Sequence, residues 1–513
     1  MLQRKLLTLL LFFYAISIGF GQIDPLPKAT PEELGISSEG IHDLITAWEN
    51  EIEAVHSFML LRNGKVVAEG WWKPYKKEDP HVLFSLSKSF TSAAIGIAEN
   101  EGLLSVDEVV SFFPDDLPEN PSDYLKAMRV KDLLTMSTGQ RTDTYGAMAT
   151  AKDNNRVKTF LALPVEQKPG TLFIYNTGAT YILSAILQKV TGMKLVDYLQ
   201  PRLFDPLGII EPKWEEGPEG ISFGGFGLFL PTEAIAKFGQ LYLQKGVWNG
   251  KQLIPEEWIL QSTSRQVSNG SDPTGNWDQG YGYQFWQNPK YGYRADGAFG
   301  QLCLVFPEQN MVLAATSGTK DMNNLMNLVW EKLMPAVKDE PLPENKIAQD
   351  NLKQKLNQLN VSPVAGIKAP SMESKVSGKT FHLEDNEQGI SSIKLSFTKN
   401  NPYIEFAAEQ ENHIIYFGNG SWKYGETKFR KEDTFSTDDK HKIATSGGWI
   451  SDDIFEIAIS YHETQLITKL RFKFSGNIVI MEGERNVSFG PTKIPRIIGE
   501  TSAKPKLATE RVK

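Results

Sequence analysis

Two hairpin patterns, separated by a long helical stretch, set the tightest limit on what this chain can fold into. Ser57-Phe58-Met59-Leu60-Leu61 and Lys65-Val66-Val67-Ala68-Glu69 are β-rich runs joined through Arg62-Asn63-Gly64. Asn-Gly between such runs specifies a tight hairpin turn. Gln301 to Phe306 and Met311 to Ala315 repeat the arrangement around Pro307-Glu308-Gln309-Asn310. Between the hairpins the periodicity is helical, over Val130 to Met136, Tyr181 to Val190 and Thr232 to Leu243, with a strand pattern at Tyr281 to Trp286. Amphipathic helices at Ile41 to Ile52 and Met322 to Val337 complete the unit. Strands at both ends with helices between require an α+β domain whose single sheet joins N- and C-terminal strands.

The chain has 513 residues, more than one ordinary core holds, and two domains are expected. Lys338-Asp339-Glu340-Pro341-Leu342-Pro343-Glu344 marks a boundary. The pattern predicts a domain over 22–337. A linker over 338–370 follows, with a short helix that presents Ile347, Leu352, Leu356 and Leu359. From 371 to 513 polar turns alternate with period-2 strands such as Ile393 to Phe397, Tyr403 to Phe406, Ile414 to Phe417 and Phe455 to Ile459. This predicts an all-β accessory domain, a barrel or a sandwich. At the other end, Arg4 and Lys5 precede the apolar run Leu6 to Phe20, with Gly19 and Gly21 before Gln22. Residues 1–21 therefore match a secretory signal peptide, and the expected location is periplasmic or secreted, with no membrane span after cleavage.

Chemistry concentrates at Phe84-Ser85-Leu86-Ser87-Lys88-Ser89-Phe90, which opens the apolar run Thr91 to Ala98. On a helix, Ser85 and Lys88 project from one face. Ser85 then lies in the first turn, where unpaired N–H groups and the dipole favour developing negative charge. These are the parts of an activated nucleophile. Ser-x-x-Lys recurs at Ser317–Lys320, Ser391–Lys394 and Ser396–Lys399. Ser391 and Ser396 lie on period-2 strands, where i and i+3 face opposite ways, and Ser317 follows a strand into a loop. Only Ser85 opens a buried helix.

Other chemistries find no support. The net charge of −8 has the wrong sign for a nucleic-acid binder. The single cysteine, Cys303, sits in an apolar strand pattern and reads as a buried structural thiol, which excludes a disulfide within the chain and any thiolate metal cluster. There is no His-Glu-x-x-His. His42, His56 and His81 precede Ser85 without the carboxylate spacing of a triad. His382, His413, His441 and His462 fall on strand-like stretches of the tail, where a packed or surface histidine is the plain reading. With no histidine base, a Ser85 nucleophile depends on Lys88 and one more titratable group. Tyr175, in Pro169-Gly170-Thr171-Leu172-Phe173-Ile174-Tyr175-Asn176-Thr177-Gly178, is the candidate. A tyrosine serves as a base only if a neighbouring cation such as Lys88 lowers its pKa. On the residues alone a packed aromatic is the plainer reading.

Taken together these segments resemble the serine β-lactamase-related family: class C β-lactamases, penicillin-binding DD-peptidases, and related esterases and 6-aminohexanoate-dimer-type hydrolases. The resemblance spans about residues 25 to 337. It rests on the Ser85 segment, Leu133-Leu134-Thr135-Met136-Ser137-Thr138-Gly139, the Tyr175 segment, Gly225-Phe226-Gly227-Leu228 and Gly297-Ala298-Phe299-Gly300-Gln301. It implies a β-lactamase/transpeptidase-like fold, an antiparallel sheet flanked by helices, and a reaction through an acyl-enzyme on Ser85. By the same resemblance Lys88 shares the Ser85 proton, and Tyr175 is general base and leaving-group acid. The oxyanion hole is the N–H of Ser85 with an N–H of the strand entered through Gly297-Ala298. No metal or organic cofactor is implied.

Two departures bear on the substrate. Tyr175-Asn176-Thr177 puts Thr177 where β-lactam-active members carry a substrate-contacting asparagine. Their Lys-Thr-Gly aligns with Ala295-Asp296-Gly297, which removes a carboxylate-binding cation and places Asp296 where it would repel one, unless Arg294 substitutes. The expected activity is hydrolysis of a small ester or amide. The alternatives are a β-lactamase or DD-peptidase, and a catalytically silent binding protein.

Overall fold

A computed structural model describes residues 25–106, 109–408, 411–429 and 438–501. The apolar N-terminal stretch read as a signal peptide lies outside these residues. Asn63 and Gly64, at φ 51° and 74°, make the tight turn between strands Val55–Arg62 and Lys65–Trp71. The strand Val55–Arg62 then pairs antiparallel with Met311–Ser317, Leu60 opposite Leu313, which joins the two hairpins into one sheet. Six strands run in the order Lys65–Trp71, Val55–Arg62, Met311–Ser317, Gln301–Phe306, Tyr293–Gly297, Trp286–Gln287.

The central strands are buried on both faces, and their alternation divides the hydrophobic residues between two cores. Phe58, Leu60, Leu304 and Leu313 pack with Ile41, Leu44 and Trp48 of the helix Ser38–Glu51 and with Leu325 and Met326. Met59, Leu61, Cys303 and Val312 pack on the other side, with Phe90 of the helix Ser87–Asn100 and Phe238 of the helix Thr232–Leu243. Gly239 lets that last helix approach closely, since a Cβ there would lie 2.7 Å from Cys303 Sγ. Cys303 is buried, as its strand pattern implied.

Three expectations need correction. Tyr281 to Trp286 is not a strand. The backbone turns inward at Gln284, φ 66°, whose amide donates to the carbonyls of Leu133 and Leu134 and accepts from Thr180 Oγ1. Alternating hydrophobic residues fitted a strand, but here a buried glutamine ties three helices together. The strand that does lie there, Tyr293–Gly297, was not anticipated. Ile347, placed on the apolar face of the helix now seen at Lys346–Asn357, is 76% exposed, while Ala348 and Leu352 are buried. That helix packs against Ser38–Glu51, with Lys355 paired to Glu49 and Gln349 donating to Glu32 at 2.8 Å. The segment expected as a linker therefore lies against the first domain.

The C-terminal region forms a second, curled sheet of eleven strands around a core containing Phe381, Ile404, Phe406, Ile457 and Phe472. The strand Thr380–Leu383 lies between Ile390–Ser396 and Lys493–Glu500, so the first and last strands of this region are neighbours. It lies against the segment leading to Ser85. Val82 N–H donates to Glu463 O at 2.9 Å, Tyr424 Oη donates to Pro74 O at 3.0 Å, and His462 Nδ1 is 2.9 Å from Asp79. His56 and His81 are hydrogen-bonded to each other at 3.0 Å beneath Tyr75. Burial holds His81 down at about 4, and His56 well below its usual value, so both are neutral structural rings.

Gly318, at the end of a central strand, faces this contact. A Cβ there would lie 2.3 Å from Gln465 O and 2.4 Å from Asn486 Nδ2. Gly318→Ala is expected to cost about 1–3 kcal/mol, the usual penalty of overpacking, measured as a lowered chemical-denaturation midpoint.

Candidate active site

The chain enters the site through strain. Phe84 has φ 48°, a left-handed conformation costly for an aromatic residue, and it persists because the side chain is pinned at 4% exposure against Phe299. Ser85 follows, within the 3-10 turn Phe84–Leu86, and the α-helix proper begins at Ser87. Ser85 thus precedes the first α-turn rather than lying in it. The helix is buried from Ser87 to Ala98, so its hydroxyls need partners. Ser87 Oγ accepts from Leu228 N–H at 3.2 Å, Ser89 donates to Gln284 O at 2.6 Å, and Thr91 donates to Gly224 O at 2.9 Å. These bonds lay the glycine-bearing segment 224–228 along the helix. Gly225 is required there: a Cβ would sit 2.9 Å from Thr177 Cγ2 and 3.3 Å from Lys88 Nζ.

Lys88 is 1% exposed. Its Nζ lies 3.2 Å from Ser85 Oγ, 3.5 Å from Thr177 Oγ1 and 2.7 Å from Gly225 O. Burial pulls its pKa down to about 7, against the opposing pull of Asp143 and Asp296. Near neutral pH a large fraction of Lys88 is therefore an uncharged amine beside the serine hydroxyl, a suitable proton acceptor.

Tyr175 lies with its ring over that amine, the centroid 4.9 Å from Nζ, and stacks on Trp286 at 5.5 Å. Burial, reinforced by Asp296, raises the phenol well above its ordinary pKa, and the nearby Ser85 side chain offsets only part of this. The expectation that Lys88 would lower it is therefore corrected, because an amine that has itself lost its charge to burial cannot stabilise a phenolate. Tyr175 is a neutral phenol, able to donate or relay a proton but unsuited to start as the base.

Thr177 opens the helix Thr177–Thr191, four residues earlier than the periodicity implied, and its hydroxyl faces Lys88. Asn176 cannot act for it. Asn176 is fully buried as the helix cap, its Oδ1 accepting from Thr144 and Ala179 and its Nδ2 donating to Gln140. Asp143 was not anticipated. It accepts from the Thr177 N–H at 3.0 Å and Gly178 N–H at 3.4 Å, and so brings a negative charge to the helix start near Lys88. Its one sequence signal is a position four residues past the Ser137-Thr138-Gly139 turn.

Gly297 ends the strand Tyr293–Gly297, and Ala298, Phe299 and Gly300 make the turn to the next. The pair is thus the exit of one strand, rather than the entry to a strand as expected. A Cβ on Gly297 would lie 2.0 Å from Leu83 O, so this strand end is pressed against the Ser85 turn. Asp296 is buried and bonded to Arg294 Nε at 2.7 Å. Burial raises its pKa, while Arg294 and then Lys88 oppose that. Arg294 is itself fully buried, bonded to Gln287 O and Asn288 Oδ1 and stacked on Trp277 at 4.7 Å. Asp296 is accordingly half of an ion pair rather than a bare repelling charge, and Arg294 is not presented as a replacement cation. Among the described residues no group of histidine, cysteine and carboxylate side chains could hold a metal ion, and no helix is long and apolar enough to cross a membrane.

The Beta-lactamase family profile matches residues 54–332. The 6-aminohexanoate-dimer hydrolase of Paenarthrobacter ureafaciens is 23% identical over 57% of this chain and 80% of its own length. The "Putative D-alanyl-D-alanine carboxypeptidase" of Escherichia coli O157:H7 is 23% identical over 40% of this chain, and the match spans about half (55%) of that relative. Among solved structures, a family VIII carboxylesterase aligns with TM-score 0.47 at 15% identity, over 60% of this chain and 99% of its own. A glycine-framed Ser85–Lys88 pair, a central sheet closed by both ends of the domain, and a profile match across more than half the chain lead to one conclusion: this protein belongs to the Beta-lactamase family of serine hydrolases.

Proposed function

We propose that this protein hydrolyses a small ester or amide through an acyl-enzyme on Ser85. The observation that carries this reading is the buried Lys88 amine, 3.2 Å from Ser85 Oγ with its pKa drawn down to about 7. Neutral Lys88 takes the Ser85 proton as Oγ bonds to the substrate carbonyl carbon. The oxyanion is held by the N–H groups of Ser85 and Ala298, which the contact between Gly297 and Leu83 draws together. Collapse breaks the bond to the leaving group, which receives a proton from Tyr175. Lys88 returns to the phenolate the proton it took from Ser85, which leaves the amine neutral again. Water, deprotonated by the same amine, then releases the acid and restores Ser85. Thr177 orients the amine and lies beside the incoming substrate.

The name of one relative, a 6-aminohexanoate-dimer hydrolase, accords with hydrolysis of a small substrate. The enclosure of Arg294 by Asp296 favours substrates without a carboxylate near the scissile bond. We also propose that residues 1–21 direct export, so that the substrate is met outside the cytoplasm.

A fluorophosphonate probe should label the wild-type protein and not Ser85→Ala, and equal labelling of both would refute the nucleophile. Ser85→Ala should lose at least about 10³-fold in kcat on p-nitrophenyl esters. Tyr175→Phe should lose about 10²–10⁴-fold, the range for a positioned proton donor. Rapid nitrocefin turnover would instead favour a β-lactamase. Because the base acts when unprotonated, kcat/KM should rise with pH through an apparent pKa of about 7. In Asp143→Asn that limb should move to lower pH, since removing a negative charge favours the neutral amine. A limb that stays fixed would separate Lys88 from the titration.

A further inference from the structure

Tyr175 has to aim its hydroxyl at the reacting bond, yet no helix or strand carries it. Residues 172–176 are irregular backbone, fixed by Ile174 N–H donating to Met136 O at 2.9 Å and by Asn176 capping the helix that follows. These bonds set the path of the chain. They leave the side-chain torsions of Tyr175 to whatever its ring packs against. The ring is half-buried and lies against Trp286, 5.5 Å away with the planes 20° apart, and edge-on to Tyr281 at 6.3 Å. The nearly parallel contact with Trp286 is the offset stack that aromatic pairs favour.

Trp286 is itself locked in place. Its backbone pairs with Arg294 in the edge strand of the six-stranded sheet. Its ring is steeply inclined to Tyr281 at 4.9 Å, Trp277 at 5.1 Å and Phe173 at 5.8 Å. The turn that presents it is closed by a bridge between Tyr281 and Trp286 and fastened from within by the Gln284 amide. The Arg294 guanidinium lies 5.6 Å over the same indole, and the Trp286 side chain is among the groups that lower the Asp296 pKa. Trp286 therefore links the tyrosine to the buried Arg294–Asp296 pair. Both Trp286 and Tyr175 lie on the margin of the core rather than inside it, so their stack fixes a direction more than it buries area.

We propose that Trp286 is a positioning residue, which holds the Tyr175 phenol in the orientation from which it protonates the leaving group. This deepens the acyl-enzyme reading above and rests on it. Without the indole, Tyr175 keeps its backbone anchors but gains side-chain freedom, and its hydroxyl leaves the departing group. The Lys88 amine is held by Gly225 and Thr177 instead, and stays beside Ser85.

The test compares wild type, Trp286→Ala, Trp286→Phe, Tyr175→Phe and the double variant of Trp286→Ala with Tyr175→Phe, on p-nitrophenyl acetate and ethyl acetate. Both esters form the same acyl-enzyme, but p-nitrophenolate departs as the anion whereas ethoxide needs a proton. In Trp286→Ala, kcat/KM on ethyl acetate should fall about 10²-fold, the cost of misplacing a reacting group by an ångström. On p-nitrophenyl acetate the loss should stay below about tenfold. Trp286→Phe, which keeps a ring against Tyr175, should recover most of the rate. Once Tyr175 is phenylalanine, Trp286→Ala should cost nothing further on ethyl acetate, because residues acting through one group are not additive. Equal losses on both esters, an undiminished rate on ethyl acetate, or a full further loss in the double variant overturns the inference and leaves the acyl-enzyme reading intact. Loss of fluorophosphonate labelling in Trp286→Ala marks the residue as structural and overturns it equally. Absence of labelling in the wild-type protein instead removes the acyl-enzyme reading, and the inference with it.

Discussion

An amine buried against a serine hydroxyl cannot keep its full charge, and this constraint organises the rest of the molecule. In water Lys88 would be almost wholly protonated at neutral pH and useless as a base. Placed at 1% exposure it loses hydration, and its pKa falls to about 7. Two carboxylates limit the fall. Asp143 accepts from the first N–H groups of the Thr177 helix, and Asp296 is itself restrained by Arg294. The site therefore poises the amine between charge states. The same desolvation pushes Tyr175 the other way, so one environment separates an available base from an available acid.

Holding that amine requires close backbone approach on several sides. Gly225 and Gly297 admit no side chain, the first because of Thr177 and Lys88, the second because of the Leu83 carbonyl. The Phe84 turn is strained, and packing against Phe299 and Phe489 keeps it so. Much of the restraint comes from the far end of the chain. Tyr424, Glu463 and Asn486 of the C-terminal sheet all bond to the segment before Ser85 or to the end of the central strand, and His462 lies 2.9 Å from Asp79. The second domain thus braces the approach to Ser85.

Much of this was legible from local pattern. Both hairpins, the helix over Thr232 to Leu243 and the isolation of Ser85 among four Ser-x-x-Lys matches follow from turn chemistry and periodicity, which act over a few residues. Tyr175 became a candidate through resemblance, since an aromatic in a loop carries no chemical signature of its own. Gln284 was hidden inside an apparently alternating run, because a buried polar side chain with distant partners breaks the rule that period 2 means strand. Asp143 had almost no local signal, because the helix start it bonds lies 34 residues further along the chain, and the direction of the Tyr175 pKa was misjudged for the same reason.

By itself the sequence determined where the sheet would close and that an all-β region would follow, because these depend on residue type and short-range spacing. Only the tertiary structure decided which of the reactive groups titrates near neutrality and which does not. It also decided that the Asp296 charge is compensated and that the C-terminal domain packs against the segment before Ser85. Desolvation and charge pairing depend on what surrounds a group from every direction, and those surroundings are assembled from segments hundreds of residues apart. The stretch from Phe84 to Lys88 thus carries the reagents, while their reactivity comes from what the fold packs around them.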